Sequence, residues 1–137
     1  MVQEADTEKI TLNMLPVDLG RIDLLVSQGA YASRSDFIRT AIRRQLEEHA
    51  GLVEESVARE AFSVGSMTYG REWFERQRRP VRVRILGMLR ITSDVSPELA
   101  DRVIEHLSIR GILRAPPDVL ARLGGKVDRG IRVNRGG

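Results

Sequence analysis

Residues 9–14, Lys-Ile-Thr-Leu-Asn-Met, alternate strictly between polar and apolar side chains, the period of a strand with one wet face and one dry face. Helical signals follow. Pro16 suits the first turn of a helix and Asp18 complements its N-terminus. Leu19, Ile22, Leu25 and Val26 then recur at spacings of three and four until Gly29, a natural stop. Ser33 stands ahead of a second helix with Asp36 three residues on, a capping box with Asp in place of Glu. Phe37, Ile38, Ala41, Ile42 and Leu46 form the apolar stripe of that helix. A lone strand ahead of two short helices has no partner in its own segment, and the helices cannot enclose a core. The pattern predicts a two-fold homodimer over residues 8–48, its strands paired antiparallel above four interlocked helices. Ile10, Leu12, Met14, Leu19, Ile22, Leu25, Val26, Phe37, Ile38, Ile42 and Leu46 are the expected dimer core.

Within Lys9–Leu46, the runs Ile-Thr-Leu-Asn-Met-Leu-Pro (10–16), Gly-Ala-Tyr-Ala-Ser-Arg-Ser-Asp-Phe-Ile-Arg (29–39) and Ala-Ile-Arg (41–43) resemble the CopG-type ribbon-helix-helix family of repressors. The strand's outward side chains are Lys9, Thr11 and Asn13. On an isolated strand they would read as a merely solvated face. Ahead of these helices they sit on a two-stranded ribbon, which fits the major groove of double-stranded DNA. Lys donates to guanine, Asn both donates to and accepts from adenine, and Thr offers a hydroxyl and a methyl. The resemblance implies the same three base-contacting positions. At the second helix, free N–H groups and the positive dipole end favour phosphate, with Ser33, Arg34 and Ser35 as the expected donors. Ser33 would cap the helix in either reading, and Arg39 reads better as a structural ion-pair partner.

Charge pulls the other way. Residues 1–50 hold six Lys/Arg against eight Asp/Glu, and residues 81–137 hold eleven against six. A basic segment often reports a polyanionic partner, so bulk charge points to the C-terminal half and the motif to the N-terminal half. Aromatic residues make up 4 % of the chain, which argues against stacking platforms for single strands. The absence of cysteine excludes disulfides and thiolate chemistry. No apolar h-region follows the N-terminus and no run approaches a membrane span. A cytoplasmic, nucleoid-associated bacterial protein without membrane contact is the expectation.

The C-terminal half carries an internal repeat. Val64-Gly65-Ser66-Met67, Leu86-Gly87-Met88-Leu89-Arg90 and Arg110-Gly111-Ile112-Leu113-Arg114 are strand-like runs whose glycines lie 22 and 24 residues apart. Helical patterns follow at 70–77, 96–106 and 117–123, and a fourth strand is predicted at 130–133. This period of strand then helix predicts a short β/α solenoid with parallel strands, against the alternative of a non-repeating α+β domain. Val81, Val83, Ile85, Gly87, Leu89 and Ile91 share one face of the second strand, and Arg82, Arg84, Leu86, Met88 and Arg90 the other. If that second face is exposed, Leu86, Met88 and Ile112 form an apolar strip rimmed by arginines, the expected surface for higher-order assembly. The same arginines could instead be solvated or touch DNA backbone.

The whole reads as an α+β chain. A disordered tail (1–7) leads into a ribbon-helix-helix dimer module (8–48) and a helical linker (49–61). A solenoid-like β/α repeat domain (62–133) for oligomerisation or a protein partner follows, then a tail (134–137). His49 and His106 lack ligand spacing, no glycine loop cradles phosphate, and Asp94 and Asp118 recur because the repeat recurs. No enzyme activity, metal or cofactor is expected. The expected function is a dimeric transcriptional autorepressor forming tetramers or larger assemblies through residues 62–133. The alternatives are an antitoxin or plasmid-partition protein, and, of another class, a self-assembling scaffold tethered to DNA.

Overall fold

The computed structural model describes residues 7–130. The expected tails at 1–7 and 134–137 and the expected strand at 130–133 lie outside the described residues, save Thr7 and Gly130. The chain divides into two compact units, Met1–Glu55 and Ser56–Gly137.

In the first unit, α1 spans Pro16–Ser27 and α2 spans Arg34–Glu48. Pro16 occupies the first turn of α1, where a missing N–H costs nothing. At its other end Gly29 takes the left-handed conformation (φ 79°). The Gly29 and Ala30 N–H groups then reach back to the Val26 and Leu25 carbonyls, both at 3.0 Å, so carbonyls that would otherwise be orphaned are satisfied. The Ser33 hydroxyl accepts the Asp36 N–H at 3.1 Å, while the Asp36 carboxylate accepts the Ala32 N–H at 2.9 Å. The capping box thus closes one residue earlier than the sequence pattern implies. Tyr31 meets Phe37 edge to face at 4.9 Å across the turn.

The predicted strand at Lys9–Met14 differs: residues 7–15 hold no regular element. A strand exists only through its ladder, and the described residues of one chain offer this segment no partner. The chain continues into α3, Ala50–Glu60, and the boundary between the units falls within it.

The second unit alternates strand and helix: β1 (Ser63–Tyr69), α4 (Arg71–Arg76), β2 (Val81–Ile91), α5 (Pro97–Val103), β3 (Ile104–Arg114), α6 (Pro117–Leu123), a 3₁₀ turn (Gly124–Lys126) and β4 (Val127–Asp128). The strands form one parallel sheet in the order β1-β2-β3-β4. Gly65, Gly87 and Gly111 fall in register across it, so the glycine spacing of the sequence is the period of the structure. The predicted helix at 96–106 ends at Val103, and His106 belongs to β3. Ile104 and Leu107 are fully buried in the sheet core, and one further turn of helix would take Ile104 out of its strand.

One face of the sheet and one side of the helices make the core: Val83, Ile85, Leu89, Ile91, Leu107, Ile109 and Leu113 with Phe74, Ala100, Val103, Val119 and Leu123. The repeat's valines, Val95 and Val119, are both buried there. Lys126 ties the last turn down. Its ammonium donates to the Asp101 carboxylate at 2.7 Å and to the carbonyls of Asp101 and Ile104 at 2.7 and 3.1 Å, which places a cation at the C-terminal end of α5. Arg122 of α6 reaches the other Asp101 oxygen at 3.2 Å.

Candidate nucleic-acid interface

Lys9, Thr11 and Asn13 are exposed and sit at alternate positions of the segment leading into α1. Between them Ile10 is 75 % and Leu12 65 % exposed, and Met14 is half-buried. Of the predicted dimer core, Ile22 alone is buried; Leu19, Leu25, Val26, Phe37 and Ile38 are half-buried, and Ile42 and Leu46 are exposed. Leu15, Val17 and Leu24 add further exposed apolar surface. A stable monomer seldom leaves so many large apolar side chains in water.

Ser33, Arg34 and Ser35 come together at the start of α2, all exposed. Ser33 is engaged as the cap. Arg34 is engaged as well. Its Nε and Nη2 donate to the two oxygens of Asp23 on α1, at 2.7 and 2.8 Å, a bidentate fork. The hydrogen bond from Arg34 holds the Asp23 carboxyl below the ordinary range, and the same bond raises the guanidinium. Phosphate reaching Arg34 would share it with Asp23. No single-helix pattern could reveal this pair, because its members lie eleven residues apart on different helices.

In the second unit the sheet face turned away from the helical core holds several of the arginines of the C-terminal half, among them Arg82, Arg84 and Arg110. They are largely spoken for. Arg82 pairs with Glu105 at 3.5 Å, Arg110 with Asp128 at 3.5 Å, and Arg84 donates to the Glu60 carbonyl at 2.8 Å. Arg110 also lies over the Phe62 ring, 5.5 Å from its centroid. The cleft among these groups, about 480 Å³, brings Arg82, Arg84 and Arg110 together with Glu60, Glu105 and Asp128. In this cleft three arginines are thus matched by three acidic residues. On the same face Met88 is buried, at 8 % exposure, and Leu86 and Ile112 are half-buried. The described residues contain no cluster of three or more His, Asp or Glu able to hold a metal, and no helix among them is long and apolar enough to cross a membrane.

A family model of ribbon-helix-helix transcriptional regulators matches residues 5–120. The chain therefore belongs to the ribbon-helix-helix transcriptional regulator family, whose members are DNA-binding regulators. The match runs far beyond the segment Lys9–Leu46 that carries the sequence resemblance, through β1, β2, β3 and into α6. No curated protein and no solved structure matches the chain.

Proposed function

We propose that this regulator is a homodimeric, sequence-specific repressor of its own promoter that lays a two-stranded ribbon in the major groove. The observation that carries this reading is the alternation at 9–14 combined with exposure: Ile10 and Leu12 stand in water in the single chain, with Lys9, Thr11 and Asn13 between them. Pairing this segment antiparallel with its copy buries the apolar set on both helical pairs, and gives the backbone its ladder. Six polar side chains from two copies then line one surface. Ser33 and Ser35, with the shared guanidinium of Arg34, sit at the helix start where phosphate contacts fix register without reading sequence. Residues 62–133 serve further association of the dimers in a nucleoid-associated cytoplasmic complex.

The test is a footprint of the full chain on the DNA upstream of its own reading frame. Protection of two or more short, evenly spaced repeats supports the reading. Uniform coating, or no protection, defeats it and favours the scaffold.

A further inference from the structure

β1 is hydrogen-bonded to β2 on one side and, among the described residues, to no strand on the other. Its seven residues, Ser-Val-Gly-Ser-Met-Thr-Tyr, carry no charge and no proline. Ser63, Val64, Gly65, Ser66 and Thr68 are exposed, Val64 at 62 %. Soluble proteins guard such edges with lysine, proline or a very short strand, because an unguarded edge is a template for another strand. Among the described residues, β4 at the other end of the sheet has only two residues, one of them Asp128, and pairs with Leu107 and Ser108 of β3. The core beneath β1 is unfinished too. Met67 and Tyr69 are half-buried where the next strand places Leu89 and Ile91 at 0 % and 3 % exposure in the same register. Repeat stacks need a cap at each end.

Gly65 narrows what can occupy this edge. Gly65, Gly87 and Gly111 share a register and a backbone conformation, with φ of 135°, 136° and 129°. A Cβ on Gly87 would lie 2.2 Å from the Gly65 carbonyl oxygen, and one on Gly111 would lie 2.0 Å from that of Gly87. Each bare Cα thus receives the backbone of the strand before it. The equivalent side of Gly65 meets nothing within 4 Å. A strand that fits there must bring backbone rather than a side chain against Gly65. β1 of a second copy does so with its own bare glycine.

We propose that β1 is a self-pairing edge, in which two copies join antiparallel about a two-fold axis at Gly65 and merge their sheets. Antiparallel self-pairing sets the bare sides of both glycines against each other and closes both edges, so that the merged sheet takes no further strand there. An uncharged strand meets no like-charge penalty in pairing with itself. This deepens the proposed further association of residues 62–133 and relocates it from the Leu86–Met88–Ile112 strip, where Met88 is already buried.

The chain has no cysteine, so cross-linking tests the register directly. With Gly65 opposite Gly65, Val64 of one copy faces Ser66 of the other, with Cα atoms about 5 Å apart, within disulfide reach. The full chain carrying Val64→Cys and Ser66→Cys should convert to a covalent dimer under mild oxidation. Either substitution alone leaves the cysteines on diagonal positions about 7–8 Å apart and should yield little. No covalent dimer from the double variant, or equal yields from the single variants, overturns the proposal. In the unsubstituted chain, amide hydrogen exchange across Ser63–Tyr69 should be as slow as in β2, which is paired on both sides, and rapid exchange of alternate amides also overturns it. The footprint separates the two readings. Normal protection without cross-linking sinks the β1 pairing alone, and cross-linking without protection sinks the DNA reading alone.

Discussion

Asn13 carries a donor and an acceptor on one amide, which is what bidentate reading of adenine requires. Asn13→Ala should cost about 1–3 kcal/mol in specific binding and leave non-specific binding nearly unchanged. Quantitative band shifts on operator and scrambled DNA would check this, and an equal loss on both would remove Asn13 from the reading set. A second residue bears on stability alone. Ala61 has φ 54°, the left-handed conformation that costs a side chain about 1–2 kcal/mol. It ends α3 as Gly29 ends α1, its N–H and that of Phe62 reaching the Ala58 and Val57 carbonyls at 3.4 and 3.0 Å. Ala61→Gly should therefore raise unfolding free energy by about 0.5–1 kcal/mol despite removing a methyl group, as read from urea midpoints. A loss would mean that the methyl packs.

Among the elements, β2 depends on Gly87 as β3 depends on Gly111. Gly87→Ala places a Cβ against the Gly65 carbonyl, backbone that cannot swing aside as a side chain would, in a conformation nearly restricted to glycine. It should cost at least about 3 kcal/mol, enough to lower the melting temperature of the second unit by many degrees in calorimetry. Asp101 links α5, α6 and the 3₁₀ turn, and its hydrogen bonds from Lys126 and then Arg122 hold its carboxyl below the usual range. A depressed carboxyl stabilises the fold above its unfolded pKa, and that contribution is lost as pH falls through the folded value. Asp101→Asn should therefore lower the urea midpoint at pH 7, and the gap from the parent should close in strongly acid solution. A gap independent of pH would show that the ion pairs contribute nothing. The start and end of α1, the cap of α2 and the repeat period were legible in Pro16, Gly29, Ser33 and the three glycines, because local backbone chemistry decides them. The end of α5 was not, since helical periodicity over 96–106 competes with a sheet core that claims Ile104 and Leu107. Nor was the shielding of Met88, which depends on neighbouring strands. The candidate interface was visible as an alternation, while the Asp23–Arg34 fork needed the fold to bring two helices together.

For the whole molecule, the proposed dimer turns on apolar surface that a single chain leaves in water. Leu12→Asp puts a charge on the side meant for the partner, where an unpaired buried carboxylate costs several kcal/mol. The full chain should then fall to half its parent mass or less in light scattering at micromolar concentration and lose its footprint, and an unchanged mass would place the dimer interface elsewhere. If β1 edges also pair, the particle has two independent joints, one in each unit, and breaking the first need not abolish the second. Leu12→Asp combined with Val64→Cys and Ser66→Cys would distinguish them.

The aligned glycines have one more consequence, for how such a chain could change length over generations. Adding or deleting a single residue within β2 would move a side chain into a place that admits only hydrogen, whereas duplicating a whole strand–helix unit would present a new glycine to the old one. The strands can therefore be added or lost only with complete repeats, while the glycine spacings of 22 and 24 residues show that the connections between strands tolerate change.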